Sequence, residues 1–377
     1  MDILEIPTPA ILVDKHRLAE NIRMMGEKTR KNKLSLRPHI KTHKCIEIGN
    51  LQKEEGIQGI TVATLSEAIT FMNNGFNNIT YAVPLSSDKV GIAAEINNSV
   101  TLNVLVDNPF ILERLSMKAG KTKKELNVLV KVDCGYHRVG VDPLSDDSIR
   151  LVEKILNLKW LNFQGILTHA GHSYSGTSIQ EIRHIANQEQ DTMIQFANRL
   201  QKKDIDVEAI SIGSTPTIML AESFHPDITE VRPGSYVYFD YMQVVLGSCE
   251  VTDCSFSLLS SIMSKRSDGL VIDAGATALS KDLGPRHIEP DCGFGKFYSD
   301  FESGTLDALS TITSLSQEHG KVKYEKESFL SSKTLDDKLR ILPNHSCLTN
   351  NLFDEVYVVD GEKVIDRWKI HRGFSSA

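Results

Sequence analysis

From residue 34 to residue 234, short runs of β-branched residues alternate with longer amphipathic ones. Eight runs read as strands: LSLRPHI (34–40), IQGITVA (57–63), ITYAVP (79–84), VTLNVLVD (100–107), NVLVKVD (127–133), FQGILTHA (163–170), VEAISIG (207–213) and ITEVRPG (228–234). Short apolar runs rich in Val, Ile and Thr suit buried strands. The intervening pattern is helical in CIEIGNLQKEE, LSEAITFMNNG, SDKVGIAAEINN, NPFILERLSMKAG, SDDSIRLVEKILN and SIQEIRHIANQEQDTMIQFANRLQKK. Several of these open on a Ser, Asp or Asn suited to capping the first turn. Strict strand–helix alternation predicts a parallel sheet. Eight repeats predict closure into a (β/α)8 TIM-type barrel, with an open doubly wound sheet as the alternative.

The texture changes after about residue 245. CSFSLLSSIMS, GLVIDAG, KVKYEKES, KLRILP, EVYVVDG and KVIDRW read as strands joined by turns, which predicts a mainly antiparallel β domain. The expected division is a barrel over 11–244 and a β domain over 245–377, with the N-terminal strand 1–10 joining the second. A chain of 377 residues accommodates two such domains.

Composition narrows the function. The chain is 41% hydrophobic and 24% charged, and 42 Lys+Arg against 49 Asp+Glu leave a net charge of −7. This balance gives no basic surface for nucleic acid or anionic lipid, so neither is expected as a partner. No run approaches the length of a membrane span. MDILEIPTPA lacks the basic and apolar regions of a secretion signal. Cysteines 45, 134, 249, 254, 292 and 347 are scattered without a C-x-x-C pair. They are expected to be reduced thiols in a cytoplasmic protein.

Barrel enzymes carry their chemistry at the C-terminal ends of the strands. Those ends supply His39 and Lys41, Thr64, Asp133 with Arg138, His169 with His172 and Tyr174, Ser214 with Thr215, and Arg232 with Gly234. Lys41 lies in RPHIKTHK (37–44), among Arg37, His39, His43 and Lys44. Cations and partial desolvation turn a lysine amine into a nucleophile able to form a Schiff base with an aldehyde. A solvated basic loop is the plainer reading. GSTPT (213–217) and RPGSY (232–236) follow the last two strands, where barrels often bind phosphate. Each also reads as an ordinary turn and helix cap. Arg138 could orient an anionic oxygen or form a surface ion pair. In PNHSC (343–347), His345 and Cys347 at i, i+2 of an extended segment would point the same way. Imidazole with thiolate suits Zn2+, and a buried cysteine beside a surface histidine is the alternative.

These segments, together with TPAILVD, VDCGYHRVG, HAGHSY and VIDAGATALSKDLG, occur in an order that spans nearly the whole chain. The sequence resembles the D-serine dehydratase / D-threonine aldolase family, alanine-racemase-like, fold-type III pyridoxal-phosphate enzymes. The resemblance implies an N-terminal barrel and a C-terminal β domain. It implies that Lys41 is the Schiff-base lysine and that Thr215, Gly234 and Ser235 contact the cofactor phosphate. Tyr174 is implied as a further cofactor contact. Arg138 resembles the arginine that faces the pyridoxal phenolic oxygen in the racemases, and Arg232 stands where they place a pyridine-nitrogen partner. His345 and Cys347 match the zinc pair of the eukaryotic-type D-serine dehydratases. The aldolase branch carries His and Asp there, so Cys347 points to dehydration. The implied reaction converts a D-3-hydroxy amino acid, D-serine by default, to a 2-keto acid and ammonia. D-threonine aldolase and D-threo-3-hydroxyaspartate dehydratase activities are the alternatives, a non-catalytic cofactor carrier is less favoured, and a homodimer is expected.

Overall fold

The computed structural model describes residues 1–266, 269–335 and 337–373. The chain forms two compact units. One comprises Met25–Lys41 and Gln52–Gly234, and the other Met1–Met24, Thr42–Leu51 and Ser235–Arg372. Residues 42–51 and 235–244 thus fold with the β strands, although the sequence rhythm assigns them to the barrel. The N-terminal strand, β1 (Ala10–Asp14), lies within the strand-like segment TPAILVD (8–14), at the end of the expected span 1–10 and beyond it.

In the first unit, eight parallel strands follow the predicted rhythm: β2 (Ser35–Leu36), β3 (Ile60–Val62), β4 (Asn78–Pro84), β5 (Thr101–Val106), β6 (Leu126–Lys131), β7 (Leu161–Leu167), β8 (Ala209–Ile212) and β9 (Glu230–Val231). Their order is β2-β9-β8-β7-β6-β5-β4-β3. A parallel bridge between His39 and Thr61 and the bond from Thr61 N–H to Pro38 O, 2.9 Å, join the two edge strands. The sheet therefore closes.

Strand register sorts the side chains into two faces. Val104, Val128, Ile166, Ile210 and Val231 share one face and are buried. The other face is layered. An amide ladder crosses the start of the strands: Asn103 Nδ2 donates to Thr80 Oγ1 (3.0 Å), Asn127 to Asn103 (2.9 Å) and Asn162 to Asn127 (3.0 Å). A leucine layer follows, Leu105, Leu129 and Leu167. On the same face Lys131 and Ser211 pair in register with Leu167, and Arg232 follows two positions after Glu230, the partner of Ser211. Polar groups in such a lumen must satisfy one another, which the ladder does.

In the second unit, β1 pairs antiparallel with β10 (Phe256–Arg266) and parallel with β17 (Glu355–Asp360). The sheet continues through β11 (Gly269–Ile272), β12 (Lys296–Asp300), β13 (Thr305–Leu306), β14 (Ser310–Leu315), β15 (Gly320–Tyr324), β16 (Lys338–Leu342) and β18 (Lys363–Lys369). The rhythm missed the helix Lys15–Lys31. Its apolar stripe is only Leu18, Ile22 and Met25, spaced for a helix but surrounded by charge. Among the described residues, no helix is long and apolar enough to cross a membrane.

Candidate active site

Lys41 lies in a single 3-10 turn, Ile40–Thr42, just after β2, with its side chain exposed. Several other residues of its run have partners elsewhere. Arg37 Nε donates to Glu230 at 2.5 Å and its Nη1 to Asn78 at 2.8 Å. Lys44 Nζ donates to Asn351 at 2.6 Å, and His43 Nδ1 accepts from Cys45 N–H at 3.1 Å. Arg37 and Lys44 thus hold strand ends and a helix end, while His39 Nδ1 accepts from Lys41 N–H at 3.4 Å.

The β7 and β8 ends bring further groups to this region. His169 Nδ1–H donates to Gly213 O at 2.9 Å, because a carbonyl can only accept. Burial first, and then the charge of Lys41, hold the ring well below the usual histidine range. His169 is therefore neutral at pH 7, with its unprotonated nitrogen at Nε2. Ser214 caps the short helix Thr215–Leu220, and its hydroxyl also meets Ser173 Oγ at 2.9 Å. Thr215 Oγ1 accepts from Gly234 N–H at 3.3 Å, so two of the expected phosphate contacts are neighbours. Tyr174 lies half-buried in the turn Gly171–Ser175. Arg138 is exposed, its guanidinium 5.0 Å from the centre of the Tyr136 ring, which in turn stacks on His172. The hydroxyl of Thr215 and the amide of Gly234 are neighbours, and Lys41, Arg138 and Tyr174 belong to the same unit; these are donor types that suit a phosphorylated aromatic aldehyde.

Lys131 and Arg232 lie buried behind these loops. Arg232 Nη1 bonds Ser211 Oγ and its Nη2 bonds Thr168 O, which fixes the guanidinium against strand ends. Burial, reinforced by Arg232, pulls the Lys131 amine down to about 7. Between that value and the ordinary lysine value, the unfolded chain binds a proton that the folded chain does not. Stability therefore rises with pH across this window, and the penalty is full below it. Lys131→Met is expected to stabilise the protein at pH 7 and below by on the order of 1–4 kcal/mol, with the gain shrinking near pH 10. Urea unfolding of both proteins at the two pH values measures the difference.

The second unit holds the expected metal pair. His345 and Cys347 are not consecutive outward positions of a strand, as the sequence suggested. β16 ends at Leu342, His345 is the N-cap of the helix Ser346–Asn350, and Cys347 lies in its first turn. Asp240, fully buried, starts that helix by accepting from Ser346 N–H (2.9 Å) and Ser346 Oγ (3.0 Å). The two residues still sit two positions apart at the start of one helix, and Cys347 acts on the His345 imidazole. Asp282 Oδ2 lies 3.5 Å from His345 Nδ1. Burial opposes charge on the imidazole, but Asp282 and Cys347 override it and hold the group well above the usual range. Cys347 Sγ lies 3.2 Å from Thr42 Oγ1 and 3.6 Å from Ser235 Oγ, so the Ser235 hydroxyl, expected to contact phosphate, reaches the thiol. Among the described residues, no group of three or more His, Cys, Asp or Glu gathers for a metal. Imidazole and thiol with a carboxylate behind the ring nonetheless fit a borderline-soft cation that keeps open positions.

A domain family described as "Alanine racemase, N-terminal domain" matches residues 13–242, and a serine dehydratase domain matches residues 255–359. The D-serine dehydratase of Dictyostelium discoideum is 35% identical over 387 aligned residues, covering 97% of this chain and 96% of that protein. The chain belongs to the D-serine dehydratase / D-threonine aldolase family. Members of this fold-type III pyridoxal-phosphate family are lyases, and this chain is one of them. The family also includes the D-threonine aldolase of Arthrobacter sp, 28% identical over 99% of this chain and 94% of that one. The solved structure of D-threo-3-hydroxyaspartate dehydratase from Delftia sp. HT23 superposes with a TM-score of 0.92 at 28% identity, covering 99% of each chain. A cysteine-to-alanine mutant of D-threo-3-hydroxyaspartate dehydratase, in the metal-free form, gives 0.93 at 28% identity, over 99% of this chain and 100% of that one.

For this family member, sequence reasoning singled out the strand-end residues but passed over Lys131, Glu189, Asp240 and Asp282. Two of these leave a readable mark. Lys131 follows Asn127 and Leu129 at strand spacing, a charge closing an inward-facing series. Glu189 interrupts an apolar helix stripe. Asp240 and Asp282 acquire their roles only through contacts far along the chain.

Proposed function

We propose that the protein is a pyridoxal-phosphate- and zinc-dependent D-serine dehydratase, converting a D-3-hydroxy amino acid to a 2-keto acid and ammonia. The observation that carries this reading is the pairing of His345 with Cys347, two positions apart at the start of one helix, in a chain 35% identical to a D-serine dehydratase. A thiolate and an imidazole favour zinc over the cations that prefer oxygen ligands. The metal-free cysteine mutant among the relatives supports a metal in the family.

In this reading Lys41 would hold the cofactor through its amine and would take the Cα proton of the substrate. Thr215, Gly234 and Ser235 hold the phosphate, Arg138 faces the phenolic oxygen, and Tyr174 contacts the cofactor. His345 and Cys347 hold zinc, with Asp282 orienting His345. When bound, the cofactor supplies an electron sink for the Cα carbanion and zinc a Lewis acid for the departing hydroxyl. His169, neutral and locked by Gly213, adds no positive charge beside the Lys41 amine.

Purified protein incubated with D-serine is expected to release pyruvate and ammonia in equal amounts. Glycine and acetaldehyde from D-threonine, without pyruvate from D-serine, would replace the dehydratase reading by an aldolase. A marked preference for D-threo-3-hydroxyaspartate would change the substrate and keep the reaction, and cofactor uptake without turnover would leave a carrier. Asp282→Ala is expected to weaken zinc binding about 10–100-fold, read by competition with a chromogenic chelator. Unchanged zinc affinity would remove Asp282 from the site.

A further inference from the structure

Glu189 has no part in the chemistry above, yet its side chain is completely buried. It lies on the apolar stripe of the helix Ile179–Gln201, between Ala186 and Met193, where a leucine would pack. A carboxylate in such a place is costly unless several donors face it. Three do. Oε1 accepts from Ala170 N–H and from Gly213 N–H, both at 3.0 Å, and Oε2 accepts from Thr217 Oγ1 at 3.1 Å.

Those donors belong to two separate loops. Ala170 follows His169 at the end of β7, and Gly213 opens GSTPT at the end of β8. Gly213 is held from both sides: its N–H by Glu189, its carbonyl by His169 Nδ1–H at 2.9 Å. Its φ of +121° is glycine territory, and a Cβ there would sit 3.1 Å from Ile218 Cγ1 and 3.2 Å from Arg232 N. A residue this free in the unfolded chain needs an outside hold to present its carbonyl in one direction. Thr217 completes the link, since its Oγ1 also accepts from Ser214 N–H at 3.1 Å, next to Thr215.

We infer that Glu189 is a positioning residue of the cofactor site: one buried carboxyl group clamps the β7 and β8 loops together, and so fixes the His169 ring and the place of Thr215. The inference rests on the pyridoxal-phosphate reading. Glu189 touches neither cofactor nor substrate and acts through Gly213, Ala170 and Thr217.

The variants are Glu189→Met and Glu189→Gln, with folding checked by circular dichroism. Nitrogen-15 NMR of histidine-labelled protein, with His169→Gln as the assignment control, reads the tautomer of His169. Absorbance titration reads pyridoxal phosphate affinity. Glu189→Met is expected to lose the fixed Nδ1–H signature and to bind the cofactor at least about tenfold more weakly. Glu189→Gln is expected to restore both, because its amide oxygen accepts the two N–H groups and its NH2 donates to Thr217 Oγ1. A folded Glu189→Met protein with unchanged His169 tautomer and unchanged affinity overturns the inference, even if its melting temperature falls. If Glu189→Met does not fold, Thr217→Val decides: weaker affinity supports the clamp, and unchanged affinity with an unchanged His169 signal overturns it. Failure of the wild-type protein to take up pyridoxal phosphate would sink the proposed function instead. The His169 signal, read on cofactor-free protein, would still judge the clamp.

Discussion

Replacing Lys41 by alanine is expected to lower dehydration of D-serine by roughly 10²–10⁴-fold or more, the range lost with a positioned acid–base group. The same amine is assigned both the tether and the base, so the loss should exceed that of any other single change in the first unit. The fold should hardly notice. Lys41 is exposed in a single 3-10 turn, and a surface substitution of that kind usually shifts stability by no more than about 0.5 kcal/mol. Lys41→Arg should behave like the alanine variant despite keeping the charge, because a guanidinium neither forms the imine nor gives up its proton near neutral pH. Steady-state pyruvate formation, with thermal unfolding in parallel, separates the two effects. Retention of about a tenth or more of the wild-type rate in either variant would move the base elsewhere.

Cys347→Ala carries the second large expected loss. Lewis-acid stabilisation of a departing oxygen contributes several kcal/mol. At about 1.4 kcal/mol per tenfold, its removal slows dehydration by about 10²–10³-fold. Chelation of the wild-type protein should reproduce the loss and added zinc should reverse it, whereas zinc should not rescue Cys347→Ala. Cys347→Asp tests the reasoning more sharply. It keeps a ligand but exchanges sulfur for oxygen, which should shift the metal preference away from zinc. If Cys347→Asp retained full zinc-dependent dehydration, the thiol would not be what separates dehydration from aldol cleavage.

Much of the fold can be read from periodicity, because a closed parallel sheet imposes the same strand–helix rhythm eight times. Each of the eight strands lies within or next to its apolar run. The helix Lys15–Lys31 is silent in that reading because its buried stripe is too narrow for its charged surroundings. Residues 42–51 and 235–244 fold with the β strands for a similar reason: rhythm records local structure, and contacts with residues far along the chain decide which unit a segment joins. The candidate site divides in the same way. Residue type and strand-end position were enough to point to Lys41, His169, Thr215 and Gly234. For His345 and Cys347 the residues were legible but the geometry was not. Asp240, more than a hundred positions away, turns that segment into a helix start. Lys131 and Glu189 are hidden for a third reason. Charged residues are read as surface by default, and only the register of β6 and the stripe of the helix Ile179–Gln201 place them inside.

Reduction of the cofactor-loaded protein with borohydride, followed by peptide mass mapping, bears most directly on the central assignment. Reduction fixes an imine as a stable amine and marks the lysine that formed it. The expected result is one pyridoxyl group on the peptide containing Lys41. The unmodified amine of Lys131, held near neutrality in the same unit, is the competitor. A label on the Lys131 peptide, or none on any lysine of an active protein, would contradict the account.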